Sequence, residues 1–125
     1  MLKQLLLIGI GGGAGSVLRF LASHLTRKYF TGNFPLATFL VNLSGCLLIG
    51  LFIGWMIKSQ NFSTDLKWLL IVGFCGGYTT FSAFALENFE LIQSEKYTMA
   101  ILYIFGSVLL GIVSVWLGIF LSKLI

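Results

Sequence analysis

The stretch Gly73-Phe74-Cys75-Gly76-Gly77-Tyr78-Thr79-Thr80-Phe81-Ser82-Ala83-Phe84 decides how this chain is read. It lies at the centre of an apolar run from Trp68 to Leu91, long enough to cross a bilayer as a helix. Paired glycines followed by two threonines are poor helix formers. In hydrocarbon a helix breaks only where its freed backbone groups meet protein, water or an ion. A break here therefore implies a site, with carbonyl oxygens as ligands suited to a hard cation. The same residues also fit an unbroken helix whose glycines make a packing notch, and composition alone leaves both readings open.

Outward from this segment the chain keeps the same character. Of its 125 residues 58% are hydrophobic and 10% charged, and the mean hydropathy is +0.98. So few polar residues cannot cover a water-soluble globule of this size, so lipid is the solvent for most side chains. Apolar stretches at 4–25, 36–57, 68–91 and 99–121 predict an all-α membrane domain of four transmembrane helices, the third broken at the midplane. The connections Thr26 to Pro35, Lys58 to Lys67 and Gln93 to Thr98 are short and polar, and none suggests a second domain. Pro35 suits a helix start, and Ser63, Thr64 and Asp65 offer caps for the third helix. The first span carries Arg19 and lacks a small-residue cleavage site, so it is expected to be retained and not removed as an export signal.

Charge gives no orientation. Lys3, Lys58, Lys67 and Lys123 fall on one side of a four-span chain, and Arg27, Lys28 and Lys96 on the other, joined by Arg19 if its depth counts. A chain without a positive-inside bias is expected to insert both ways, and oppositely inserted copies can pair about a two-fold axis in the membrane plane. Small residues support close packing. They recur at Thr38, Asn42, Cys46, Gly50 and Gly54 along the second helix and at Ser107, Gly111, Ser114 and Gly118 along the fourth. An antiparallel homodimer embedded in lipid is the expected assembly. If its axis passes near residues 76 to 80, both breaks meet there, and two carbonyls from each chain converge on one small cation.

Several function classes drop out. The net charge of +4 reflects few acids and no basic cluster, which excludes nucleic acid as a partner. Cys46 and Cys75 have no metal-ligand spacing and read as packing residues, and His24 stands alone at a helix end. Gly9 to Ala14 matches a dinucleotide fingerprint, but no strand precedes it and the next acid is Asp65, so no nucleotide or other organic cofactor is expected. Nothing resembles a catalytic constellation.

What remains is a small set of polar residues at membrane depth. Arg19 and Glu87 each cost about 2.5 to 3.5 kcal/mol near a helix centre unless compensated, so they are expected to pair or to line one aqueous vestibule. Phe81 and Phe84, three apart, share a helix face, and their positive ring edges can replace part of an anion's hydration. Asn42 and Phe84 both lie toward the same side of the midplane, Asn42 about 6 Å from the centre of its helix at ~1.5 Å per residue. An amide donor beside ring edges suits an anion.

These features, taken as Gly12-Gly13-Ala14-Gly15 with Arg19, Val41-Asn42-Leu43-Ser44-Gly45, and Gly73 to Phe84 with Glu87, resemble the small fluoride channels of the Fluc (CrcB) family over nearly the whole chain. The resemblance implies an antiparallel, dual-topology homodimer in a bacterial inner membrane that passively exports fluoride along two pathways, with a structural Na+ at its centre. Carried onto this chain, the Na+ ligands are the backbone carbonyls of Gly76 and Thr79. The fluoride pathway is Asn42, Phe81, Phe84, Thr80, Ser82, Tyr103 and Ser107, with Arg19 and Glu87 at the vestibule. Two departures stand out: Ala83 occupies a position where the family commonly has a hydroxyl residue, and Gly111 interrupts the hydroxyl line that begins at Tyr103 and Ser107. The alternative function is a proton-coupled small multidrug-type exporter, which needs a buried acid; the first two spans have none, and Glu87 is off-centre. A purely structural membrane subunit explains the glycines but not the Thr79 to Phe84 cluster.

Overall fold

The computed structural model describes residues 1–59 and 63–124. The predicted polar loop Lys58 to Lys67 therefore falls partly outside the described residues, at 60–62. Among the described residues every regular element is helical: α1 Leu2–Tyr29, α2 Leu36–Lys58, α3 Thr64–Leu66, a π-helical stretch Lys67–Cys75, α4 Gly76–Tyr78, α5 Phe81–Gln93 and α6 Tyr97–Ser122. The segments from Thr64 to Gln93 form one span, so four helices are long and apolar enough to cross a membrane.

The helices run past the apolar limits read from the sequence. Thr26 to Tyr29, expected as loop, continue α1, and the Thr26 hydroxyl donates to the Ala22 carbonyl at 2.8 Å. Arg27 and Lys28 are good helix formers and suit the negative end of the helix dipole, so the helix persists into the polar zone. At the other end of α5 the chain reverses within three residues. Glu95 sits in the left-handed region at φ 59°, its N–H donates to Ile92 O at 3.0 Å, and the Lys96 N–H reaches Leu91 O at 2.9 Å. That is the double bond pattern of a Schellman turn, with Glu in the place glycine usually takes.

Two helix pairs make the subunit. In the first, α1 lies against the π-helical stretch and α4. A methyl group on Gly11 would fall on the Leu69 carbonyl, one on Gly15 on the Phe74 carbonyl, and one on Gly77 on the Gly12 carbonyl. Here backbone touches backbone, which only glycine permits. In the second pair, α2 lies against α6: Gly50 meets Val115 O, Gly118 meets Leu47 O, and Gly54 faces Ser122. The stripes read on the second and fourth spans thus face each other. Beyond these seams the subunit is lightly buried, with Ile10, Val17, Phe20, Phe105 and Trp116 among the large apolar residues left exposed.

Candidate functional site: the interruption in the third span

The third span is broken at Thr79 and Thr80, whose backbones are extended at φ −80°, ψ 160° and φ −148°, ψ 118°. The break is produced by substitution of hydrogen-bond partners. In a continuous helix the Thr80 N–H would go to the Gly76 carbonyl and the Ala83 N–H to the Thr79 carbonyl. Instead the Thr80 N–H donates to Asn42 Oδ1 at 2.8 Å, and the Ala83 N–H donates to Thr80 Oγ1 at 3.2 Å. The Asn42 amide closes the clasp by donating from Nδ2 to Thr80 O at 3.0 Å. Two carbonyls, Gly76 and Thr79, are thereby released from helical bonding.

The surroundings hold this shape. The Thr79 hydroxyl and N–H both donate to Cys75 O, at 2.9 and 3.0 Å, ending the upper helix. Gly45 on α2 leaves room for the Thr79 methyl, where any Cβ would collide. Ser44 Oγ and Tyr78 OH are 2.9 Å apart, Ser16 Oγ reaches Gly77 O at 3.4 Å, and Arg19 Nη1 lies 3.5 Å from Thr79 O. Gly76 is different from its neighbours. Nothing lies within 4 Å of where its Cβ would be, so its face opens into a groove of about 520 Å³ along the subunit.

That groove collects most of the residues singled out from the sequence: Asn42, Gly76, Thr79, Thr80, Phe81, Phe84 and Ser107 all line it. Phe81 is 79% exposed, and its ring lies 5.8 Å from that of Phe84. Phe84 in turn meets Tyr103 edge-on at 4.9 Å. Ser82 Oγ is 3.3 Å from Thr80 Oγ1. Ser107 Oγ is buried with no hydrogen-bond partner among the described residues, an orphan hydroxyl at the groove wall.

Arg19 and Glu87 do not pair with each other. Arg19 reaches the Thr79 carbonyl from α1, while both carboxylate oxygens of Glu87 are occupied by hydroxyls: Thr38 Oγ1 donates to Oε1 at 2.6 Å and Tyr103 OH to Oε2 at 2.8 Å. They sit on different sides of the break because Arg19 belongs to the α1 seam and Glu87 to the α5 contact with α2 and α6. Tyr103 is 0% exposed, and its proton is committed to Glu87. From the sequence Thr38 reads only as a packing residue. Its signal was available in the i, i+4 relation to Asn42, which puts both side chains on the face of α2 turned to the third span.

Among the described residues no group of three or more His, Cys, Asp or Glu side chains clusters to hold a metal. The freed carbonyls are neutral, hard oxygen donors, a class that fits an alkali or alkaline-earth cation. Arg19 lies too far from Thr79 O for a firm hydrogen bond, so that oxygen keeps lone-pair capacity.

Residues 6–119 match the family model described as CrcB-like protein, Camphor Resistance. A "Fluoride-specific ion channel FluC" of Flavobacterium psychrophilum is 50% identical over 122 residues, covering 98% of both chains. Proteins of the same name from Azobacteroides pseudotrichonymphae and Methylobacillus flagellatus are 46% and 43% identical, covering 98% and 97% of this chain and 98% and 95% of their own.

Proposed function

This chain belongs to the CrcB-like family, as a multi-pass protein of the bacterial inner membrane, and from that premise we propose that it is a fluoride-selective channel that passively exports fluoride from the cytoplasm. No bond is made or broken. The observation that carries the reading is the Asn42 clasp, which opens the third span beside the Phe81 and Phe84 rings. A small anion leaving water needs donors that are fixed in place and not saturated. Asn42 has a second amide proton beyond the one given to Thr80, Ser107 has an unclaimed hydroxyl, and Thr80 and Ser82 present a hydroxyl pair. Between them the ring edges of Phe81 and Phe84 offer weak positive potential without a tight binding site. A narrow path of this kind lets fluoride exchange its hydration for protein contacts, while a larger halide meets steric cost.

The assembly we propose is an antiparallel, dual-topology homodimer. One subunit leaves Gly76, Phe81 and the groove uncovered, and the Gly76 and Thr79 pair supplies two carbonyls per chain. The carbonyls of Gly76 and Thr79 from both copies would hold a structural Na+, which neutralises converging oxygen dipoles and so acts as scaffold. Glu87, tied to Thr38 and Tyr103, fixes α5 against α2 and α6 beyond the rings.

Halide-resolved efflux from proteoliposomes tests the reading. Fluoride is expected to leave rapidly and chloride to stay, with no proton gradient applied. A strict requirement for a gradient would replace the channel with the proton-coupled exporter.

A further inference from the structure

Gly111 leaves a gap in the hydroxyl line that runs from Tyr103 through Ser107, and the structure puts another polar group in front of that gap. Ser107 and Gly111 are four apart on α6, and Asn42 and Cys46 are four apart on α2, so each pair shares one face of its helix. The two helices lie against each other. Beyond its own helix, a methyl group on Gly111 would find one neighbour within 4 Å, Cys46 Sγ at 3.6 Å. The sulfur therefore faces the missing side chain, one turn along from Ser107. Half-buried Cys46 also lines the same groove as Asn42, Phe81, Phe84 and Ser107.

Cys46 has an ordinary duty as well: it is a small filler that lets α2 and α6 approach closely. A filler needs no spare proton. Short polar side chains on helices commonly give theirs to the carbonyl one turn back, as Ser44 does to Leu40 O at 2.7 Å and Thr79 to Cys75 O at 2.9 Å. Cys46 does not. Among the described residues its thiol has no hydrogen-bond partner. Ser107 Oγ, shut off from solvent at the same groove wall, is likewise unpartnered. Two protons without acceptors along one groove call for an acceptor that the subunit itself does not supply.

We propose that the Cys46 thiol is a further donor to fluoride and stands in for the hydroxyl that Gly111 lacks. The inference rests on the channel reading and adds one ligand atom to it. A thiol is a weak donor, so it hands the ion onward without holding it, as conduction through successive sites requires.

Fluoride efflux from proteoliposomes tests this, with monodisperse yield as the check on folding. Cys46→Ala is expected to slow efflux about fivefold, the loss of one modest hydrogen bond to an ion, and Cys46→Val, close to cysteine in volume but without a donor, by about the same factor. Cys46→Ser keeps a donor and is expected to stay within about twofold of wild type. The sharpest arm moves the donor to the other helix. With the sulfur gone, Gly111→Ser added to Cys46→Ala is expected to restore efflux to about half the wild-type rate or more. Should Cys46→Ala fail to give monodisperse protein, Cys46→Val against Cys46→Ser decides alone.

Wild-type efflux in Cys46→Ala or Cys46→Val would overturn the inference, because the sulfur is then filler only. So would a Cys46→Ser protein as slow as Cys46→Val, or a double variant that gains nothing from the added serine. Any of these results beside a wild type that passes fluoride breaks only this inference. A wild type that passes no fluoride breaks the channel reading beneath it.

Discussion

The two halves of the third span are held in opposite ways. Before the break, the π-helical stretch and α4 lie on α1 with backbone against backbone, and the specifying residues are those without side chains: Gly11, Gly15 and Gly77. After the break, α5 is held by side chains alone, through Phe84 edge-on to Tyr103 and Glu87 between two hydroxyls. The lesson is that one span changes partners at its midpoint. A helix that continued straight would satisfy its own backbone and have no reason to offer carbonyls. By handing the chain from the α1 seam to the α2 and α6 side-chain cluster, the fold leaves Thr79 and Thr80 extended between two anchored pieces.

The comparison breaks most sharply at the junction. Asn42→Asp keeps an acceptor for the Thr80 N–H but sets a carboxylate against Thr80 O and in the path of the anion. With a buried charge of the wrong sign, fluoride efflux is expected to fall by about 100-fold or more. Normal efflux in liposomes would show that the amide is not a donor to the ion.

In the backbone-packed half, Gly77→Ala drives a methyl into the Gly12 carbonyl and is expected to destabilise the subunit by about 3 kcal/mol, as overpacking does. Gly76→Ala, one residue earlier, meets nothing within its own chain, so its cost falls only on the contact with the second copy and is expected to be smaller than that of Gly77→Ala. Thermal unfolding in detergent read by monodisperse yield separates them, and equal loss in both would mean that the seam is misplaced.

In the side-chain half the expected effects are smaller. Tyr103→Phe removes one donor from Glu87 and is expected to cost about 1–2 kcal/mol, with the helices still formed. The same unfolding assay checks it, and a loss as large as that of Gly77→Ala would erase the contrast between the halves. Smallest of all, Glu95→Gly relieves a left-handed residue in the turn that returns α5 to α6, and a gain of roughly 1 kcal/mol is expected. No gain would place the anchoring of α5 wholly in its helix face.

Much of this was legible beforehand. Four spans and the shared face of Phe81 and Phe84 follow from hydrophobic length and helical spacing, and glycine and threonine content marks Gly76 to Thr80 as a weak point while leaving open whether the helix breaks there. The π-helical stretch was not, since Trp68 to Cys75 are ordinary apolar residues that read equally well as α-helix. Nor was the pairing of Glu87 with Thr38 and Tyr103 in place of Arg19: depth counting put both charges toward one side but gave no direction around the helix axis.

Local rules act over a few residues, and they were enough to say where this chain is helical, where it meets lipid and where a helix weakens. The contact that turns the weak point into an opened segment comes from a residue 38 positions away, the Asn42 side chain on the Thr80 backbone. Which carbonyls are freed, and which charge faces which hydroxyl, was therefore decided by the tertiary arrangement, because a hydrogen bond in a dry medium goes to whichever partner the packed helices bring within reach.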